Sequence, residues 1–234
     1  MKHKLSDYIF NYKNEQDSIF SVLTEKEKEL LNATASLKTI KKGQLIFKEG
    51  NEPSGLIFLM KGSAKLYKVG VGEREQIVRL VRPHSFVGYK ALFAEKPHTT
   101  SAEAIENSEI IIYSKAELYK ILESNPVFSR EIIKALANEL GFNYNRIITL
   151  TQKHIRGRLA ETLILIKDIY GFETDGKTLK AHFTRENIAH FSNMTTPNAI
   201  RTLKDFSEEK LITTEGKRIT LLDIQKLEKI SDIG

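Results

Sequence analysis

Cysteine is absent from all 234 residues. That removes disulfides, thiolate zinc sites, cysteine-ligated iron–sulfur clusters and cysteine nucleophiles together. No apolar run reaches about 18 residues, so no membrane-spanning helix is expected. The basic start Met1-Lys2-His3-Lys4 leads into polar residues instead of an apolar stretch. No secretory signal is read there, and the cytoplasm is the expected compartment, with no membrane partner. Neither sign of charge dominates. The net charge is +6, and from Thr151 onward 14 Lys and Arg face 12 Asp and Glu. A polyanion would have to be held by a local stripe, because the bulk field is weak.

Signatures of catalysis are missing as well. There is no glycine-rich phosphate loop, no G-x-S-x-G elbow and no paired histidine and carboxylate, so an enzyme is not expected. The six histidines (His3, His84, His98, His154, His182 and His190) show no metal-ligand spacing.

What is present changes texture along the chain. Thr24-Glu25-Lys26-Glu27 is a capping-box pattern that opens a helix carrying Leu30 and Leu31. From about Leu37 to Tyr113, short apolar runs alternate with glycine-marked turns. The runs are Leu45 to Phe47, Leu56 to Met60, Ala64 to Val69 and Ile77 to Val81. Short strands with turns every ten or so residues predict an all-β sandwich or barrel. Ser114-Lys115-Ala116-Glu117 is a second capping box, and Asn125-Pro126 interrupts the helix that follows it.

Beyond Pro126 lies the longest helical pattern. Leu136, Leu140, Asn143, Ile147, Leu150 and His154 recur at spacings of 4, 3, 4, 3 and 4, a heptad seam of the kind that joins two helices. The same stripe would also suit a helix lying on its own domain's core. Gly157 is read as a break, followed by a second amphipathic helix on Leu159, Leu163, Ile166 and Ile169 that Gly171 ends.

Phe183 to Lys204 reads as helix, tight turn, helix. Thr184 caps the first helix, whose buried face is Ile188, Ala189 and Phe191, and Asn193 suits the left-handed turn position. Thr195, Thr196 and Pro197 start the second helix, held by Ile200 and Leu203, with Thr196, Asn198, Arg201 and Lys204 toward solvent. Leu211 to Thr214, Glu215-Gly216 and Lys217 to Leu221 read as a hairpin with a two-residue turn. Together these make a winged helix-turn-helix, suited to double-stranded DNA. Arg201 can grip guanine bidentately, Asn198 can meet adenine or a phosphate, and Lys204 is placed for the DNA backbone. A small helical module that docks on protein is the competing interpretation.

The order of these parts resembles the Crp/Fnr superfamily of bacterial regulators over nearly the whole chain. Three stretches carry the likeness: Gly43 to Gly50 with Ile57 to Gly62; Phe86 to Phe93 followed by Thr100-Ser101-Ala102; and Thr184 to Ala189 with the helix after it. The resemblance implies an α+β, two-domain chain. An N-terminal double-stranded β-helix (jelly-roll) barrel over 1–125 would sense a signal, a long dimerisation helix would span 126–154, and a winged helix-turn-helix would fill 155–234. It also implies a homodimer on palindromic DNA, with RNA polymerase as a further partner. Carried over by position, Thr196, Pro197 and Arg201 would read bases, while Arg185, Thr195 and Asn198 would sit nearer phosphates. A cyclic-nucleotide-type module acting through protein partners is the alternative.

Cyclic-nucleotide members of that family hold their ligand with Gly-Glu-Leu and Arg-Ser/Thr-Ala. Here those positions read Gly88-Tyr89-Lys90 and Thr100-Ser101-Ala102, so both charged determinants are missing and cyclic AMP is not the expected effector. An iron–sulfur cluster is excluded by the lack of cysteine. Haem through His84 or His98 has no supporting spacing, so no cofactor is assigned. An effector, if one exists, is expected near Gly88, Tyr89, Lys90, Thr100 and Ser101, with Asn143 and Tyr144 on the long helix.

Overall fold

One strand, covered on both faces, organises the β-region. Strand β3 (Leu56–Lys61) buries four successive side chains, Leu56, Ile57, Phe58 and Leu59, each at most 2% exposed. Successive strand residues point to opposite faces, so a continuous apolar run means both faces are covered. Ile57 and Leu59 join the core between two sheets, with Leu66, Val81, Val87 and Ile110. Leu56 and Phe58 face the other way, into a core shared with Leu31, Leu92, Leu118, Ile121 and Phe128 from helices.

A computed structural model describes residues 20–233. Along the chain run α1 (Glu25–Ala33), β1 (Ser36–Ile40), β2 (Leu45–Phe47), β3, β4 (Ala64–Val69), β5 (Glu75–Val81), β6 (Ser85–Val87), α2 (Tyr89–Ala94), β7 (Ser101–Ala104) and β8 (Ser108–Tyr113). Two four-stranded sheets form, in the orders β1-β8-β3-β6 and β2-β7-β4-β5. The pairs β1–β8, β3–β8, β3–β6, β2–β7 and β4–β7 are antiparallel. Eight strands shared between two sheets in this order make a jelly roll, the double-stranded β-helix.

The strands fall on the expected runs. Thr24 and Glu27 close both halves of the first capping box. In the second box Ser114 instead gives its hydroxyl to the Glu117 carboxylate and caps no backbone amide. His84 holds φ +63, a left-handed turn position that glycine would fill without strain. The basic segment Met1 to Lys4, with His3, lies outside the described residues.

Helices α3 (Lys115–Ser124) and α4 (Pro126–Gln152) follow, then α5 (Ile155–Tyr170), α6 (Arg185–Phe191), α7 (Thr196–Glu208), β9 (Ile212–Glu215), β10 (Arg218–Leu221) and α8 (Ile224–Ile233). Asn125 separates α3 from α4 and accepts the Phe128 amide on its side-chain oxygen at 3.0 Å, a cap that lets Pro126 begin the long helix. Two readings of the sequence need correction here. Gly157 is not a break: the chain turns at Lys153 and His154, and Gly157 is buried inside α5. The hairpin turn is Gly216-Lys217 and not Glu215-Gly216, because Glu215 still pairs with Arg218.

The described residues form two compact units, 20–73 with 78–141, and 74–77 with 142–233. The core of the second is built from Leu159, Leu163 and Ile166 of α5, Ile188 and Phe191 of α6, Leu203 and Phe206 of α7, and Leu227 of α8. Segment 177–179 adds a further edge to the wing. Leu179 donates to Ile219 at 2.9 Å, Leu221 donates to Lys177 at 3.0 Å, and the Thr178 and Thr220 hydroxyls meet at 2.8 Å. No described helix is long and apolar enough to cross a membrane.

Since Phe58 is fully enclosed between sheet and helices, Phe58→Ala should cost about 3–5 kcal/mol. Denaturant unfolding of the full chain measures this, and a loss below about 1 kcal/mol would contradict the two-core arrangement.

Candidate DNA-reading face and sensor cleft

A helix-turn-helix works only if its turn is held, and here arginines hold it. Thr184 caps α6 by accepting the Asn187 amide at 3.1 Å, and α6 ends at Phe191. Asn193 takes the left-handed conformation at φ +51. Thr195 then caps α7, and Pro197 sits in its first turn. The carbonyls of this turn face inward and meet cations. Arg158 donates to Ser192 at 2.9 Å and to Asn193 at 3.2 Å, while Arg146 donates to Phe191 and lies over its ring at 4.2 Å. Burial pushes the enclosed Arg146 guanidinium down to about 10, against the opposing pull of Glu161. The Ser192 hydroxyl donates to Thr162 on α5 at 2.8 Å, so the turn is pinned to the core as well.

With the turn fixed, α7 buries Ala199, Thr202, Leu203 and Phe206. Its outer face holds Pro197, Ile200, Arg201 and Lys204, all exposed, with Thr196 and Asn198 partly so and Thr195 exposed at the cap. Ile200, read from the sequence as a core anchor, is instead 51% exposed. It lies one residue off the buried stripe, and Ala199 takes the inward place. The Asn198 side-chain oxygen accepts from Arg201 at 3.0 Å, which aims the guanidinium along the helix. Lys204 pairs with Glu208 at 3.5 Å on the surface. Arg185 donates to the Gly216 carbonyl at the tip of the wing at 2.9 Å.

On α4, Leu140 and Ile147 are 51% and 55% exposed, and Leu136, Asn143 and Leu150 are half-buried. His154 is not part of this helix; it follows the end of α4 and stands at the N-cap position of α5 without a side-chain cap bond. Ile133, Tyr144 and Ile148 extend the open apolar face.

A cleft in the β-unit is lined by Leu66, Arg79, Gly88, Tyr89, Lys90 and Ala91, by His98, Thr99 and Thr100, and by Glu139 of α4. Gly88 makes its floor possible. At φ +72 a Cβ there would come within 2.7 Å of the Phe47 ring and 2.8 Å of the His98 ring. Those two rings stack at 3.8 Å, and burial pushes the His98 imidazole down, partly opposed by Glu52.

The expected positions Gly88, Tyr89, Lys90 and Thr100 do line this cleft, whereas Ser101, Asn143 and Tyr144 do not. The Ser101 hydroxyl instead accepts the Glu49 amide at 3.0 Å. Arg79 and Glu139 went unnoticed in the sequence. Arg79 left one signal, a lone cation within the apolar run Ile77 to Val81, while Glu139 had none beyond its place beside Leu140. Among the described residues no cluster of three or more His, Cys, Asp or Glu could hold a metal.

Family models match both units. A cyclic nucleotide-binding domain model covers residues 37–125, and a Crp-like helix-turn-helix domain model covers 157–230. The chain belongs to the Crp/Fnr family. It is accordingly a DNA-binding transcription regulator of the Crp/Fnr type, a non-enzymatic class, and it meets DNA through the helix-turn-helix.

Relatives agree over most of the chain. An anaerobic regulatory protein of Bacillus subtilis is 26% identical over 189 residues, 80% of this chain and 79% of its own length. A CRP-like cAMP-activated global transcriptional regulator of Mycobacterium tuberculosis is 24% identical over 187 residues, 80% and 84%. In fold, the chain is similar to FixK2 from Bradyrhizobium japonicum, with a TM-score of 0.75 and 20% identity over 84% of this chain and 96% of that one.

The Crp/Fnr helix-turn-helix here depends on Arg158 for two turn carbonyls. Charge-assisted bonds of this kind contribute roughly 1.5–3 kcal/mol each before solvent exposure is discounted. Arg158→Ala should lower the melting temperature and speed amide exchange at residues 191–195. Exchange there at the unmodified rate would show that the turn holds itself.

Proposed function

We propose that this Crp/Fnr regulator acts as a homodimer on a palindromic operator, with a sensor that does not answer to cyclic AMP. The carrying observation is the outer face of α7, where Arg201 is aimed by Asn198 beside the exposed Ile200 and Pro197. A guanidinium projecting from the first turns of such a helix suits the paired acceptors of guanine, and an exposed isoleucine beside it suits a thymine methyl. Thr184, Thr195, Thr196 and Lys204 complete the DNA-facing set, with phosphate contacts that position without specifying. Arg185, which also holds the wing, sits nearer the phosphates.

The division of labour follows the chain: 1–125 senses, 126–154 dimerises, 155–234 reads DNA. The dimer rests on the open apolar face of α4, since a contiguous exposed patch of this kind marks an association surface. Opposing cyclic AMP are Tyr89 and Thr100, where an acid and an arginine would meet ribose and phosphate. RNA polymerase is the remaining partner of a regulator of this type.

Selection from a random duplex pool at physiological salt, with no effector added, should return a palindrome with half-sites about one helical turn apart. Recovery of no preferred sequence would favour a module that works through protein partners. Arg201→Ala should cost about 1–3 kcal/mol of operator affinity and relax preference at one position per half-site. Intact specificity after that change would misplace the reading helix. Leu140→Glu should dissociate the dimer in sedimentation and weaken operator binding with it, whereas a variant sedimenting as the parent would put the dimer contact elsewhere.

A further inference from the structure

The sensor cleft already holds a carboxylate, and it comes from the chain itself. Glu139 is 5% exposed, although it lies on a helix where the neighbouring Ala135, Leu136, Leu140 and Phe142 are apolar. One of its oxygens, Oε2, accepts from Arg79 Nη1 at 3.2 Å and from the Tyr89 hydroxyl. The other, Oε1, lies 3.7 Å from Lys90 Nζ. Arg79 also reaches the Tyr89 hydroxyl at 3.4 Å and lies over its ring at 5.7 Å. Two cations and a phenol therefore converge on one carboxylate, the only acidic side chain among the described residues that line the cleft.

Burying a carboxylate is costly unless it is both paired and hydrogen-bonded, and an apolar side chain would have served mere packing better. Burial raises the Glu139 carboxyl, but Arg79, Tyr89 and Lys90 together outweigh it and hold the group below the ordinary range, so it stays ionised near neutral pH.

We propose that the Arg79–Tyr89–Lys90 cleft is a carboxylate-binding site whose resident ligand is Glu139, so that helix α4 is clamped to the sensor by an internal ligand. A small free monocarboxylate of the size of the glutamate head group enters only when Glu139 is withdrawn. Whatever displaces Glu139 shifts the population of α4 arrangements, because the clamp favours one of them. The consequence for operator affinity rests on the reading above, but the site itself does not.

The test uses the full chain and acetate as probe, compared with chloride at equal ionic strength and pH 7. Glu139→Ala should melt below the parent and recover by about 3 °C or more as acetate is raised, with saturation. The parent should show no such gain, and neither should Glu139→Ala combined with Arg79→Gln. An acetate response in Glu139→Ala no larger than the parent's overturns the proposal.

Should Glu139→Ala fail to fold, Glu139→Gln keeps the shape and removes the charge. Its amides at residues 89–94 and 136–141 should exchange about tenfold faster than the parent's, and equal rates overturn the proposal in the same way. No DNA enters either measurement, so failure here is distinct from failure of the operator reading.

Discussion

Helix α4 must meet two demands along one cylinder. Phe128, Ile132 and Ala135 are drawn into the core that backs strand β3, while Ile133, Leu140, Tyr144, Ile147 and Ile148 are left open to water. A helix that serves only its own core carries a single apolar stripe, and a second stripe has to be covered by something else. The register of the helix is set by the first demand. Asn125 and Pro126 fix where it starts, and the enclosed Phe128 fixes its rotation from there. Within the same unit, Glu139 inherits its direction from that first turn.

Charge is placed inside both units, and in each case it orders a polar or irregular segment. In the β-unit, Glu139 gathers Arg79, Tyr89 and Lys90. In the DNA-binding unit, Glu161 accepts from Thr149 at 2.8 Å and from Lys153 at 2.6 Å, close to the arginines that hold the helix-turn-helix. Buried pairs of this kind add little net stability compared with apolar packing, but breaking one leaves a charge stranded. They therefore penalise alternative arrangements more than they deepen the native one.

Much of the architecture could be read from the sequence because local rules and tertiary demands agree there. The capping threonines, the left-handed Asn193, the glycine-marked strands and the proline at the start of α4 each report on their own neighbourhood, and each lies where the pattern put it. The misreadings arise where a residue's fate depends on a distant partner. Gly157 reads as a helix breaker, yet it is buried inside α5. Ile200 reads as core because it is apolar, but helical phase turns it outward and gives the inner place to Ala199. Arg79 and Glu139 are 60 residues apart, and nothing local announces that a strand and a helix bring them together. The cleft was half visible for that reason: the segment around Gly88 bears a pattern, while its charged partners come from elements that carry none.

The bond from Arg185 to the Gly216 carbonyl joins the first residue of α6 to the tip of the wing across 31 positions of sequence. It ties the hairpin tip to the start of the helix-turn-helix. The distance between whatever the wing touches and whatever α7 reads is then set by the protein. A duplex held at both places would have to fit that spacing, which would turn duplex flexibility into a further source of selectivity.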